Sequence, residues 1–250
     1  LRAVLLTHLD SDHFHGGWVK VFRERRIPAT LLLHHRHRNV AWSMGLNVDC
    51  VVLFNDFLTI DGTIVHPIML SHDALGSVGY VIEHAGLRLG YATDFGRASE
   101  GLLDRFTNLH ALAIESNYDR RMQQESSRPS FLKHRIMGGA GHLSNEQCLE
   151  AVLEIEGGSA LSHLALLHLS RECNCPNLVR DLYARRAPHL VDRLTVSSQT
   201  AVTPTLAIRP GPLGLHGLHG LHGSHESHGR IDSMIEPKWR QQQLRLFAAG

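Results

Sequence analysis

The sequence contains few cysteines and no long apolar run. Four cysteines among 250 residues are too few for a fold held together by disulfides, so we expect free thiols. No apolar stretch reaches the roughly 18 residues that a membrane-spanning helix requires, and the opening run LRAVLL is too short for a signal peptide. The sequence therefore predicts a cytoplasmic protein that does not enter a membrane.

An excess of charge of either sign is also lacking. The formal net charge is +1, so overall electrostatics gives no argument for nucleic-acid binding. Hydrophobic residues make up 43% and charged residues 20% of the chain, as in ordinary globular proteins. A chain of this length builds about one domain around one sizeable core.

The stretch LLTHLDSDHFHGG, at residues 5–17, is rich in potential metal ligands. Imidazole nitrogens and carboxylate oxygens bind borderline and hard divalent cations. A polar loop of solvated histidines is the alternative, because the chain contains 20 histidines. Two glycines and a helical pattern follow, and this order favours half of a metal site. The candidate ligands are His8, Asp10, Asp12, His13 and His15.

Hydrophobic patterns predict a chain that mixes strands and helices. Strands are predicted at residues 3–6, 29–33, 51–54, 57–60, 63–70, 78–83, 87–93, 109–114, 163–169 and 190–196. Helices are predicted at residues 16–26, 146–155 and 176–186. Residues 51–70 are interpreted as a β-meander with a turn at Asp61 and Gly62. Ser144 and Gln147 form a capping box before the second helix.

Two polar stretches have alternative interpretations. His34, His35 and His37 lie among arginines without a neighbouring carboxylate, so we interpret them as a solvated basic loop rather than a metal site. Residues 119–135 are interpreted as a long excursion over the surface. The arginines of that excursion either hold substrate phosphates or are simply solvated.

Ligand-type side chains recur where predicted strands end. His72 follows the strand at residues 63–70, Asp94 follows the strand at 87–93, and His168 lies in the strand at 163–169. Together with the opening stretch, seven ligand-type residues at four strand ends can build two adjacent metal sites. The seven are His8, Asp10, Asp12, His13, His72, Asp94 and His168.

The order and rough spacing of these residues resemble the metallo-β-lactamase superfamily. The opening ligand loop is similar to its H-x-H-x-D-H signature, with Asp10 in place of the second His. The stretches HDA, YATDFG, ESNYD, KHRIMGGAGHLSN and LLHLSRECN resemble the WalJ/YycJ-like branch. The resemblance implies an α/β (α+β) fold, a four-layer αββα sandwich of two facing sheets with helices outside. Family members carry several strands before the first motif, so we expect this domain to be N-terminally incomplete, with a short first sheet or an exposed edge.

The resemblance also implies a set of metal ligands. Two divalent metal ions are expected, foremost Zn²⁺, with Mn²⁺ or Fe²⁺ as alternatives. His8, Asp10 and His72 would bind the first ion and Asp12, His13 and His168 the second, with Asp94 bridging both. His142, in the stretch GHLSN, would assist proton transfer to the leaving group; the alternative is that it only hydrogen-bonds the glycine turn.

Such a site suits hydrolysis of phosphodiesters. Two cations about 3.5–4 Å apart lower the pKa of a shared water and stabilise the attacking and leaving oxygens, while Asp12 and Asp94 would orient the resulting bridging hydroxide. We therefore expect a dinuclear hydrolase acting on nucleic acid. The alternatives are a thioester or lactone hydrolase of a small metabolite, and a non-catalytic metal-binding protein.

The composition changes after Ile208. Proline and glycine break the pattern, and Leu-His-Gly repeats three times between residues 215 and 223, a period from which no core can be built. The sequence predicts a hydrolase domain at residues 1–208 and a disordered tail at 209–250, with a short helix at residues 240–247.

Overall fold

The structure, a computed structural model, describes residues 2–24, 27, 29–47 and 51–212. Cys50 and the predicted tail from residue 213 onward, with its repeats and short helix, lie outside the described residues. The expected free thiols are confirmed for Cys148, Cys173 and Cys175. In the described part of the chain, no helix combines the length and the apolar composition that a bilayer crossing requires.

The first sheet of the described residues contains three parallel strands in the order β1-β2-β3. These strands are β1 (Ala3–Leu6), β2 (Thr30–His34) and β3 (Val51–Phe54). The interpretation of residues 51–70 as one β-meander is wrong for β3, which pairs with β2. Val51 and Phe54 are buried and lie on opposite faces of β3. A strand that is covered on both faces suits a parallel sheet.

The second sheet contains seven strands of the described chain, in the order β10-β9-β8-β7-β6-β5-β4. They are β4 (Leu58–Ile60), β5 (Thr63–Leu70), β6 (Ser77–His84), β7 (Leu87–Ala92), β8 (Ala111–Glu115), β9 (His163–Leu167) and β10 (Leu194–Val196). Neighbours are antiparallel from β4 to β7 and parallel from β7 to β10. The predicted turn between β4 and β5 is confirmed: Asp61 and Gly62 both have positive φ, which such a hairpin turn requires.

Helices connect the strands of both sheets. They are α1 (Gly17–Arg23), α2 (Arg38–Ser43), α3 (Glu100–Arg105), α4 (Arg120–Glu125), α5 (Ser130–Met137), α6 (Asn145–Gly157) and α7 (Pro176–Arg186). The capping box of Ser144 and Gln147 at α6 is confirmed. The interpretation of residues 119–135 as a long excursion over the surface is wrong only in its secondary structure, because α4 and most of α5 lie there in place of a loop. Asp119 caps α4 by accepting a hydrogen bond from the backbone of Met122.

The alternation of residues along the strands gives four layers. On β2, Leu31 and Leu33 pack with Phe22 of α1, whereas Leu32 points the other way and packs with Tyr80 of the second sheet. On the far side of the second sheet, apolar residues of β6 and β8 pack with α3, α6 and α7. The helices therefore enclose two facing sheets, and the apolar area buried between the layers stabilises the arrangement.

The second histidine cluster is only partly solvated. His35 is exposed, as expected, but His37 is 2% exposed and its Nε2 has no hydrogen-bond partner among the residues that the structure describes. Burial lowers the pKa of His37 to about 4. The interpretation as a solvated loop is therefore wrong for His37, which is neutral at physiological pH.

Candidate metal centre

Loops that follow strands of both sheets converge on one pocket. Strands β5, β7, β8 and β9 run in the same direction, so their carboxyl ends meet at one edge of the second sheet. The loop after β1 reaches this edge too, because the carbonyl of Thr7 accepts a hydrogen bond from Val78 at the start of β6. The pocket has a volume of about 660 Å³, and its lining includes His8, Asp10, Asp12, His72, Asp94, His142 and His168.

The first cluster contains His8, Asp10 and His72. One potential ligand atom from each lies within 4.8 Å of the others. The Nδ1 atom of His72 lies 3.0 Å from the carbonyl of Gly141, which can only accept, so Nδ1 donates and Nε2 is left to bind a cation. The Nδ1 atom of His8 is likewise 2.9 Å from the hydroxyl of Thr7. Both imidazoles are therefore oriented through their second nitrogen, as metal-binding histidines usually are.

The second cluster contains Asp12, His13 and His168. Their potential ligand atoms also lie within 4.8 Å of one another. His13 is adjacent to the first cluster as well, because its ring centroid is 4.2 Å from that of His8. His15, the remaining histidine of the opening stretch, is exposed and accepts a hydrogen bond from the backbone of Gly17.

Asp94 lies between the two clusters. Its Oδ1 is 3.3 Å from Nε2 of His168, and its Oδ2 is 3.3 Å from Nε2 of His13, both in the second cluster. Towards the first cluster, an oxygen of Asp94 lies within 4.8 Å of a ring nitrogen of His8. Burial alone would raise the pKa of Asp94, but the imidazole of His13 and the charge of His168 lower it well below its usual range. Oδ2 is buried without a well-aligned hydrogen bond from any described residue. An ionised, buried oxygen of this kind fits a bound cation, so the residues present suit a metal.

Glu115 forms hydrogen bonds with several residues of the pocket, and the sequence analysis did not identify it as a site residue. Glu115 ends β8 and is completely buried. Its oxygens accept hydrogen bonds from Nδ1 of His142, at 3.1 Å, and Nδ1 of His168, at 3.0 Å. They also accept from the backbone amides of Asp94 and Leu143. Three of these donors reach Oε2 and one reaches Oε1. An oxygen of Glu115 also lies within 4.8 Å of potential ligand atoms of Asp94, His142 and His168. Because Glu115 holds both imidazoles through Nδ1, we regard it as orienting the ligands.

Hydrogen bonds with Glu115 set the protonation of two histidines. Burial by itself would lower the pKa of His168, but the hydrogen bond with Glu115 and the charge of Asp94 raise it to about 9. The same contact with Glu115 outweighs burial at His142 and raises its pKa. Burial would raise the pKa of Glu115, yet the two imidazoles hold it below its ordinary value. A cation that binds His168 must therefore displace a proton.

The imidazole of His142 faces the metal clusters. Its centroid is 5.1 Å from that of His72 and 5.4 Å from that of His168. Nδ1 of His142 lies 3.1 Å from Oε2 of Glu115 and 4.0 Å from Oδ1 of Asp94. With Nδ1 held by Glu115, Nε2 of His142 is available to a group in the pocket.

The backbone at Gly96 lies close to the backbone at Gly141, and this contact helps to hold the histidines of the pocket in place. A Cβ atom added to Gly96, two residues after Asp94, would lie 2.6 Å from the backbone nitrogen of Gly141. The carbonyl of Gly141 holds His72, and His142 is the next residue. Gly96 therefore allows the loop after β7 to pack against the loop that positions both histidines.

We expect Gly96→Ala to destabilise the protein by about 1–3 kcal/mol, the usual cost of inserting a methyl group into filled space. It should also weaken metal binding, because the loop carrying His142 must move. Denaturant unfolding and metal titration measure the two effects. Gly101→Ala is the matched control, since nothing lies within 4 Å of a Cβ there. An unchanged unfolding midpoint for Gly96→Ala would contradict the packing argument.

Comparisons with known proteins agree with this geometry. A family model described as a β-lactamase superfamily domain matches residues 1–163. The chain is 26% identical over 182 residues to the exodeoxyribonuclease YycJ of Bacillus anthracis, covering 72% of this chain and 68% of that protein. It is 28% identical over 188 residues to the exodeoxyribonuclease WalJ of Streptococcus pneumoniae, covering 71% and 67%. The metallo-β-lactamase fold protein YhfI from Bacillus subtilis matches with a TM-score of 0.57 at 15% identity, over 79% of this chain and 75% of that one.

Proposed function

We propose that this chain, which belongs to the β-lactamase superfamily, is a metal-dependent hydrolase that cleaves phosphodiester bonds in nucleic acid. The family and the α/β sandwich fold, both predicted from the sequence, are confirmed. We assign the activity to the predicted domain at residues 1–208, and a nucleic-acid substrate agrees with the expected cytoplasmic location. The observation that carries the proposal is the convergence of two ligand clusters on one buried carboxylate, that of Asp94.

Two divalent cations would be held by the residues expected from the sequence. His8, Asp10 and His72 would hold one, Asp12, His13 and His168 the other, and Asp94 would contact both. The mixture of imidazole and carboxylate donors suits Zn²⁺, with Mn²⁺ or Fe²⁺ as alternatives. Asp10 is a harder ligand than the histidine it replaces, which favours the alternatives at the first position.

The bound cations would supply Lewis acidity and lower the pKa of a bound water. The protein contributes orientation and proton transfer. Asp12, whose side chain is 72% exposed, is placed to accept a proton at the mouth of the pocket. His142 is fixed through Nδ1 by Glu115, so Nε2 can donate a proton to the departing oxygen. The hydrogen bond with Glu115 raises the pKa of His142, which favours the protonated form that this role needs.

A phosphodiester substrate is supported by cationic groups in the pocket wall and by the relatives. Arg128 and Arg135 line the pocket and suit phosphate, because a guanidinium matches the geometry of phosphate oxygens. The two relatives are named exodeoxyribonucleases. A small-metabolite thioester or lactone hydrolase is the second candidate, because a volume of about 660 Å³ also suits a small molecule.

The test measures hydrolysis of bis(p-nitrophenyl) phosphate, single-stranded DNA and a thioester by the purified protein. We expect both phosphodiesters to be cleaved, EDTA to abolish cleavage, and Zn²⁺ or Mn²⁺ to restore it. Cleavage of the thioester alone would contradict the proposal. A protein without any of these activities that still binds metal would be the non-catalytic alternative.

A further inference from the structure

We propose that residues 128–135, named here the strand-binding segment, bind single-stranded nucleic acid beside the metal centre. Arg128 and Arg135 contact phosphates on either side of the scissile one, and Phe131 stacks on an unpaired base. This inference rests on the proposed function and adds to it the form of the substrate.

The two arginines lie at opposite sides of the pocket. Arg135 pairs with Asp73, which follows His72 of the first ligand cluster. The guanidinium of Arg128 reaches Ser170, two residues beyond His168 of the second cluster. A substrate phosphate at the metal centre would therefore have one guanidinium on each side.

Both guanidiniums are held in place and retain unused donors. Arg128 donates through Nε to Glu172, at 3.0 Å, and through Nη1 to Gln123, at 3.2 Å. Arg135 donates through two nitrogens to the carboxylate of Asp73. A guanidinium has five N–H donors, so each keeps donors for a ligand. The side chain of Arg135 is 60% exposed, and an ion pair with so exposed an arginine contributes little to stability, which favours a binding role for Arg135.

The spacing of the arginines requires an extended substrate. Helix α5 contains eight residues and is therefore about 12 Å long. Arg128 lies just before its start and Arg135 lies near its end. With the guanidiniums held at Glu172 and at Asp73, two successive phosphates of one strand can each meet one of them. The arrangement therefore fits a polynucleotide better than a small metabolite.

Phe131 provides an aromatic surface on the same helix. Its side chain is 74% exposed, compared with 48% for Trp18 and 44% for Phe57. Phe131 and Arg135 are four residues apart on α5, so they share a face. Leu132 and Ile136, the next pair along the helix, line the pocket. Bases that are not paired stack on such aromatic rings, whereas the bases of a duplex are already stacked and paired.

The pocket lining contains more acidic than basic side chains, so its two arginines matter for binding phosphate. Its described lining contains five carboxylates, and Arg128 and Arg135 are the only arginine or lysine residues among those lining residues. The carboxylates are Asp10, Asp12, Asp73, Asp94 and Glu172. Bound cations would offset part of this negative charge at the centre, but flanking phosphates need local cationic partners.

The experiment compares kcat/KM for a thymidine decamer and for the dinucleotide TpT, which has no flanking phosphate. We expect Arg128→Gln, Arg135→Gln and Phe131→Ala each to lower the decamer value roughly tenfold more than the dinucleotide value. Each arginine variant should also reduce the slope of log Kd against log salt by about one. Phe131→Tyr, which keeps a ring, should restore most of the loss. Arg121→Gln is the matched control, because Arg121 is exposed on α4 and pairs with Glu125.

A second measurement replaces single phosphates of the decamer by neutral methylphosphonates. At the position that Arg128 contacts, the replacement and Arg128→Gln should not add, because both remove the same interaction. Equal losses on both substrates, an equal loss for Arg121→Gln, or a preference for blunt duplex over single strands would overturn the inference while leaving the hydrolase proposal intact. If the protein cleaves no phosphodiester, both proposals fail together.

Discussion

Replacing His168 with alanine is expected to remove one of two bound metal ions and to lower turnover by a factor on the order of a thousand or more. A metal ion contributes several kcal/mol of transition-state charge stabilisation, and each 1.36 kcal/mol is tenfold in rate. His168 lies 3.3 Å from Asp94 and its ring centroid is 5.5 Å from that of His13, so its loss opens the second cluster. The fold should survive, because the imidazole lines the pocket and is not among the buried apolar residues that pack between the layers.

His163→Ala is the matched control for this variant. His163 begins β9, the strand that His168 follows, and its Nε2 lies 3.0 Å from the carbonyl of Ala207. It is therefore at the opposite end of the strand from the pocket. Metal content by mass spectrometry, turnover and the far-ultraviolet circular dichroism spectrum are compared for both variants. If His168→Ala kept two ions and full turnover, the assignment of the second cluster would be wrong.

Removing the carboxylate of Glu115 is expected to have the largest effect on stability. Glu115→Ala leaves two imidazoles and two backbone amides without their acceptor, and losing one partner of a buried charge pair costs about 3–5 kcal/mol. The imidazoles of His142 and His168 would also lose their fixed orientation. Loss of such orienting partners weakens metal binding about 10- to 100-fold.

Glu115→Gln separates the two effects. The amide keeps the volume and one acceptor oxygen, but its NH₂ group opposes the donors that face it. Metal affinity should therefore fall while much of the packing remains. Glu154→Gln, on the exposed side of α6, is expected to change stability by less than about 0.5 kcal/mol. Urea unfolding and competition titration with a chelator give both quantities. An unaltered metal affinity in Glu115→Gln would show that Glu115 does not orient the ligands.

The ligand clusters could be predicted because their positions follow from local pattern. A short apolar run followed by histidine or aspartate marks the end of a strand, and parallel strands bring such ends together. His72 and Asp94 were found in this way without knowledge of the pairing. The family resemblance then gave the grouping into two clusters. Each of the two has potential ligand atoms within 4.8 Å of one another, but so do two overlapping groups that contain Asp94, so the assignment of ligands to two ions stays a prediction.

Glu115 could not be recognised in the same way. One acidic residue at the end of a strand looks like any other, and its role depends on four donors that come from separate parts of the chain. Its position at the carboxyl end of β8, beside the strands that carry Asp94 and His168, was the only available signal.

Two predictions about the fold were wrong because the local sequence pattern was misread or weak. Strand β3 was placed with β4 because they are neighbours in sequence, whereas the apolar run on both faces of β3 favoured a parallel sheet. Helices α4 and α5 were missed because their buried residues are sparse: Gln123 is the buried residue of α4, and α5 has none. Without an apolar stripe, a helix gives no periodic signal.

Anomalous diffraction from crystals of the metal-loaded protein tests the central claim most directly. We expect two peaks about 3.5–4 Å apart, one beside His8 and His72, the other beside His13 and His168, with Asp94 touching both. A single peak, or peaks only away from Asp94, would contradict the account.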